Sequence, residues 1–342
     1  MPASLLGHLN PQADITELDY GYQLKIIEEI LRMKKQLIQI HERVKPYIHK
    51  TPVYTSSLLN EISGCELFFK CENFQRTGSF KMRGAVNAIM QLTDEQKQKG
   101  VVTHSSGNFA QALALAANSL GIVAYIVMPS NASPVKKNAV KGYGGILVEC
   151  PPTYEAREKY SNRLVEEKGL AFIHASHDLN VILGQATAGK ELIEDYPDLD
   201  FIYTPVGGGG LVAGTILATE YFSGKIKVVG AEPAAVDDAY RSLISNKIET
   251  TNTKSTIADG LTTHLGIANF TIMKRGIDHI ILVEEKEIVE AMLLIWERMK
   301  ILIETSSAVA FAGLLKEKEA LKNKKVGVII SGGNVDVQKL PF

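Results

Sequence analysis

The chain repeatedly runs a short apolar segment into a glycine-, serine- or asparagine-rich turn and then into a helix-like stretch. Ile122 to Met128 reads Ile-Val-Ala-Tyr-Ile-Val-Met and stops at Pro129. Glu66 to Lys70, Gly100 to His104, Gly145 to Glu149, Leu170 to Ile173, Asp200 to Val206, Ile226 to Ala231 and Val326 to Ile330 read as further strands. Helical patterns lie among them: Tyr22 to Lys45, Phe109 to Ser119, Lys136 to Lys141 and Tyr154 to Lys168. A strand that is apolar at consecutive positions has no face for water, so its sheet must be covered on both sides. The expectation is an α/β fold with mostly parallel sheets. A chain of 342 residues suits one large domain or two unequal ones.

Composition removes several functional classes. The net charge of -1 offers nothing to nucleic acid or to an anionic membrane. No apolar run approaches the ~20 residues of a membrane span. Met1 to Gly21 lacks the basic flank and apolar core of a signal peptide. Cys65, Cys71 and Cys150 have no metal-binding spacing, and Cys65 and Cys71 sit among apolar neighbours as inert core thiols. A reducing cytosol is the expected compartment. Asn246 to Lys254 reads as a surface loop.

In parallel sheets ligands gather at the carboxyl ends of strands, and four such ends here carry unusual chemistry. The first is Thr77-Gly78-Ser79-Phe80-Lys81-Met82-Arg83-Gly84-Ala85, which sets Lys81 between a small polar turn and a helical run from Val86 to Leu92. A lysine withdrawn from water loses basicity, which suits a Schiff-base lysine. The second is Gly207 to Gly210, placed before a helix, where backbone N–H groups can turn on an anion. The third is Ser105-Ser106-Gly107-Asn108 and the fourth Ser331-Gly332-Gly333-Asn334. Singly, these two are explained by capping and turn chemistry, and Lys81 by a surface lysine at a helix start. No Gly-x-Gly-x-x-Gly follows the first strand and no Gly-x-x-x-x-Gly-Lys-Ser/Thr occurs, which disfavours nicotinamide and ATP-hydrolase readings.

Taken in order, these four segments resemble the fold type II pyridoxal-phosphate enzymes of the serine racemase and serine/threonine dehydratase family. The resemblance runs from about Ile40 to about Asp336 and leaves the preceding segment outside it. It implies two three-layer α/β domains: a large cofactor-binding domain of residues 1–94 plus 174–342, and a small mobile domain of residues 95–173 inserted within it. Lys81 would bond the cofactor, Phe80 would pack on its ring, Asn108 would face the ring hydroxyl, and Gly207, Gly208, Gly209 and Gly210 would cradle the phosphate. Ser331 would face the pyridine nitrogen. A serine can donate there to an unprotonated nitrogen, a weaker electron sink that favours β-elimination.

Ser105, Ser106, Gly107 and Asn108 would hold the substrate carboxylate, with Arg157 and Glu304 nearby. Lys81 and Ser106 would be bases on opposite faces of the substrate, as racemisation requires. Some β-hydroxyaspartate dehydratases carry the same serine. The expected activity is serine racemase with serine dehydratase activity. The alternative is a dehydratase of L-threonine, L-serine or threo-3-hydroxyaspartate without useful racemisation, and a remote one is a non-catalytic pyridoxal-binding protein. Glu232, the carbonyl of Val236 and Asp238 match a loop that holds Mg²⁺, Ca²⁺ or Mn²⁺ in a structural or activating role. The resemblance also brings a homodimer and ATP as an activator. Departures from the family pattern are Phe109 for histidine, Thr263 for serine, and Thr305 for proline after Glu304. With the end at Phe342 soon after Ser331, isoleucine feedback is not expected.

Overall fold

The computed structural model describes residues 20–250, 255–338 and 340. Its strands are β1 (Val53–Tyr54), β2 (Glu66–Cys71), β3 (Val101–His104), β4 (Ala124–Pro129), β5 (Ile146–Cys150), β6 (Ala171–Phe172), β7 (Phe201–Pro205), β8 (Lys227–Pro233), β9 (Ile277–Val283) and β10 (Lys325–Ile330). They form a six-stranded sheet in the order β1-β2-β10-β7-β8-β9 and a four-stranded sheet in the order β5-β4-β3-β6. Every pairing is parallel except that of the short edge strand β1 with β2. The chain leaves the larger sheet after β2, builds the smaller one, and returns at β7.

Both faces of each sheet are covered, as continuous apolar strands demand. Leu67, Phe69, Tyr203, Val229 and Val328 point into one core, whereas Phe68, Ile202, Val228 and Ile329 point into cores on the other face. The smaller sheet divides likewise, with Val101, Ile126 and Met128 on one side and Val102 and Val127 on the other. This is the period-two alternation of a pleated strand between two apolar layers.

The helix at residues 179–195 lies at the centre and is buried at every position from Val181 to Ile193. It crosses the Lys81–Met90 helix where Gly84 meets Gly184. A Cβ on Gly84 would come within 2.7 Å of the Val181 carbonyl, and one on Gly184 within 2.6 Å of the Arg83 carbonyl. The Lys81–Met90 helix starts at Lys81 itself, five residues before the expected run, because the turn ahead of it is fixed by contacts to the turn after β10 rather than by local capping. Tyr20–Val44 is one continuous helix. The expected loop at 246–254 lies partly outside the described residues, as does most of the Met1 to Gly21 segment. All three cysteines are free and buried, and burial pushes the Cys71 thiol up to about 12.

Four fully buried charges tie the end of β2 to the Lys81–Met90 helix and the central helix. The Arg83 guanidinium forks onto Glu72 (Nε–Oε2 2.7 Å, Nη2–Oε1 2.8 Å) and onto Glu191 (Nη1–Oε1 and Nη2–Oε2, both 2.8 Å). Lys70 Nζ donates to Glu191 Oε2 at 2.7 Å and to the Thr51 carbonyl at 2.8 Å, and Thr51 Oγ1 donates to Glu72 at 2.5 Å. With two cations and two anions the cluster is neutral, and its remaining donors and acceptors are largely satisfied. Removing one member strands the others in a dry interior. Arg83→Met is therefore expected to cost on the order of 3–5 kcal/mol, read from chemical denaturation. A loss under ~1 kcal/mol would show the cluster to be solvated.

Candidate active site

The four strand ends do meet. They line one cavity of about 710 Å³ at the carboxyl edges of both sheets, a volume within the ~300–1,000 Å³ typical of small-molecule sites. Each end is held there by specific backbone chemistry.

Lys81 follows a strained turn. Thr77 adopts φ 63° and Gly78 φ 72°, a left-handed conformation unfavourable for a β-branched residue. A side chain at Gly78 would collide with Asn334, whose Oδ1 would lie 2.6 Å from the added Cβ. Asn334 Nδ2 donates to the Thr77 carbonyl at 2.7 Å, and the N–H of Phe80 donates to the Ser331 carbonyl at 3.0 Å. The lysine segment is thus stitched to the Ser331 turn. Lys81 Nζ donates to the Ala175 carbonyl at 2.9 Å and lies 4.9 Å from the Phe80 ring centroid and 5.9 Å from that of Phe109. Enclosure pushes its ammonium down to about 8, opposed in part by the Glu304 carboxylate.

Ser105, Ser106 and Gly107 run from the end of β3 into the Asn108–Ser119 helix and line the cavity. Asn108 is itself held by two protein side chains. Its Nδ2 donates to both oxygens of Glu304 (2.8 and 3.1 Å), and its Oδ1 accepts from Asn334 Nδ2 at 2.9 Å. This chain joins the smaller sheet to the larger. Burial raises the Glu304 carboxyl to about 7, with hydrogen bonds from Asn108 and from the Asn334 N–H opposing the rise.

Gly207 to Gly210 open the Gly210–Phe222 helix. A Cβ on Gly207 would lie 2.6 Å from Leu261 Cα and one on Gly208 2.4 Å from Ser176 Oγ, while Gly209 has φ 78°. Only bare backbone fits, which leaves the N–H groups and the positive end of a 13-residue helix to meet an anion. Ser176 Oγ is buried beside this cradle without a hydrogen-bond partner. A glycine anion cradle, an enclosed amine of lowered basicity and an unsatisfied hydroxyl fit a phosphorylated aldehyde such as pyridoxal phosphate.

Ser331 lines the cavity. Its hydroxyl is hydrogen-bonded at 2.9 Å to Ser307, a residue that the sequence reading passed over. Also unforeseen is a row of histidines along one wall. His174 Nδ1 accepts the backbone N–H groups of Ser176 (3.2 Å) and His177 (3.0 Å), and its ring stacks on His177 with centroids 3.9 Å apart. Burial, then the neighbouring histidines and Lys81, push His174 down to about 3, so it stays neutral. His104 and His264 extend the row. The recurrence of His174 and His177 just after β6 was the available signal.

Phe109 is buried against Lys81 and forms an apolar wall. Arg157 lines the cavity with its guanidinium 5.3 Å from the Tyr154 ring centroid. Glu232, Val236 and Asp238 lie apart from the cavity and are buried. The Glu232 oxygens accept the N–H groups of Ala239 (2.9 Å) and Tyr240 (2.8 Å). Among the described residues no group of three or more histidine, cysteine or acidic side chains could hold a metal ion, and no helix is long and apolar enough to cross a membrane.

Comparison with known proteins places this arrangement. The chain is 51% identical over 310 residues to the serine racemase of Dictyostelium discoideum, covering 90% of this chain and 96% of that protein. It is 45% identical to a beta-hydroxyaspartate dehydratase of Paracoccus denitrificans, covering 90% and 98%. The crystal structure of the Dictyostelium discoideum serine racemase superposes with a TM-score of 0.85 over 89% of this chain and 99% of that one. Residues 44–332 match the family described as "Pyridoxal-phosphate dependent enzyme", and the chain belongs to that family, with its fold type II architecture.

Proposed function

We propose that the protein is a serine racemase that also eliminates water from serine. The observation that carries this reading is that Lys81, on a helix reached from β2 of the larger sheet, and Ser106, just after β3 of the smaller sheet, line one cavity. Pyridoxal phosphate, when bound, supplies the electron sink that acidifies the hydrogen on the substrate's α-carbon. Lys81 takes or returns that proton on one face, and the Ser106 hydroxyl does so on the other. Backbone N–H groups at the start of the Asn108–Ser119 helix bind the substrate carboxylate. Gly207 to Gly210 hold the phosphate, and Phe80 and Phe109 keep water from the amine. His174, held neutral, borders the cavity without adding a cation beside Lys81.

Residues 95–173 act as a small domain that closes on the substrate. The ion pair of Lys136 with Asp259 at 2.7 Å supports this, since it links that segment to the opposite side of the cavity. A second reading, a dehydratase of threo-3-hydroxyaspartate, is favoured by Arg157, whose fork in the cavity suits a second carboxylate. A divalent cation, Mg²⁺ foremost, fits Glu232, the Val236 carbonyl and Asp238. Burial and the nearby charges of Asp238 and Asp237 hold the Glu232 carboxyl well above its usual range, and a hard cation on oxygen donors relieves that repulsion.

Lys81 attacks the aldehyde only as the neutral amine. With its amine near pH 8 instead of 10.5, cofactor capture by the apoprotein should speed up as pH rises toward about 8 and level off above it. A rate still climbing tenfold per unit at pH 9 would contradict the lowered basicity. Ser106→Ala should retain keto-acid formation from L-serine and lose D-serine formation by about 10²-fold or more, measured by chiral product analysis. The same assay with L-threonine, D-serine and the threo-hydroxyaspartates separates the two readings, because a preferred dicarboxylate substrate would displace racemisation as the main activity. Chelation should lower the melting temperature and added Mg²⁺ restore it. An unchanged melt would remove the cation from the Glu232 loop.

A further inference from the structure

Lys81 Nζ rests on the carbonyl of Ala175, 2.9 Å away. Ala175 sits in the short loop between β6 and the central helix and belongs to no helix or strand. The loop is held by one of its own side chains. His174 Nδ1 takes the N–H groups of Ser176 at 3.2 Å and His177 at 3.0 Å, so the backbone closes into a turn that brackets Ala175. Asn269 holds the next carbonyl, that of Ser176, at 3.0 Å.

The proton positions here admit one solution. Backbone N–H groups can only donate, so Nδ1 must present its lone pair and the ring carries its hydrogen on Nε2. A ring turned over would set a C–H against the same two N–H groups. A second proton, on Nδ1, would expel both of them and place a cation near Lys81. Burial works against that proton and pushes His174 down to about 3. The turn therefore survives across the whole range in which Lys81 titrates.

We infer that His174 is a positioning residue for Lys81, whose neutral ring shapes the loop so that the Ala175 carbonyl meets the lysine ammonium. The inference rests on the reading that Lys81 bonds the cofactor. The carbonyl favours the charged amine, whereas enclosure disfavours it. These two opposed effects set the pH at which Lys81 becomes a nucleophile, and His174 governs the first of them through the backbone of Ala175. The carbonyl also gives the lysine, whenever it is free of the cofactor, one place to lie.

Asparagine is the informative replacement, because its Oδ1 hangs from Cγ as Nδ1 does and accepts the N–H groups two and three residues on. The test follows capture of pyridoxal phosphate by the full-length apoprotein against pH, with the link trapped by borohydride and located by mass spectrometry. In the wild type the rate should level off near pH 8. His174→Phe keeps a ring against His177 and fills the same space, but it has no acceptor. The turn opens, the ammonium loses a charge-assisted hydrogen bond, and the plateau should begin about one pH unit lower. His174→Asn should restore the wild-type profile. His104, His177, His264 and Glu304, the other titratable groups around the pair, are the same in all three proteins, so the difference reports the loop. A His174→Phe plateau at or above the wild-type pH overturns the inference, as does a His174→Asn profile that matches that of His174→Phe. If His174→Phe does not fold, ¹⁵N spectra of histidine-labelled wild type decide instead. The ring whose signals vanish in His174→Asn should carry its hydrogen on Nε2, and a hydrogen on Nδ1 overturns the inference. A trapped link on Lys81 with an unmoved His174→Phe profile removes the inference alone. A link on another lysine removes the reading of Lys81, and both fall.

Discussion

The position of Lys81 depends on a set of buried charges that lie outside the cavity. Arg83 lies two residues after Lys81, and its guanidinium is forked between Glu72, just beyond β2, and Glu191, on the central helix. Lys70 closes the set from within β2. An ion cluster of this kind contributes little net stability over a well-packed apolar one, but each member is costly to strand. Its effect is geometric. It gives the start of the Lys81–Met90 helix one position relative to the sheet and the central helix, and the Gly84–Gly184 crossing removes the remaining slack. The left-handed turn at Thr77 and Gly78 persists because both its flanks are fixed in this way.

Within the cavity, burial sets the charges of the ionisable groups. The same enclosure lowers the amine of Lys81 to about 8, raises the carboxyl of Glu304 to about 7 and drives His174 down to about 3. In each case it penalises the charged form. The outcome is a site of low fixed charge, where a proton on Lys81 or Glu304 can be gained or lost near neutral pH. Asn108 and Asn334 bind Glu304 into this arrangement and connect the two sheets at the point where their strand ends converge.

Much of the fold was legible because most strands announced themselves by an apolar run ending in a turn. β2, β4, β7 and β10 stand within a residue or two of their expected places. The central helix was not, because it is buried on all sides from Val181 to Ile193 and so lacks the polar stripe that reveals a helix. β9 carries Asp278 and His279 near its start, which leaves only Ile280 to Val283 as an apolar run. Of the site, the glycine cradle, the lysine and the serine turns could be read from residue type. The histidine wall and Ser307 could not. His104 and His174 meet through the pairing of β3 with β6, with His264 joining from a segment distant in sequence, and a serine in a helix next to Thr305 and Ser306 looks like any other until Ser331 is placed beside it.

The pairing of β2 with β10 bears on how the molecule is made. β2 is the second strand of the chain and β10 the last, and they lie side by side in register from Glu66–Lys325 to Cys71–Ile330. A ribosome delivers them in that order, so the strand leading to Lys81 must wait, with one edge open, for β10 to emerge. Pairings of such long sequence separation form slowly, and an unpaired apolar edge is open to wrong partners meanwhile. The smaller sheet, by contrast, uses only strands that follow one another between residues 101 and 172 and can assemble early. The cavity therefore comes into being only after β10 is made and closes the middle of the larger sheet.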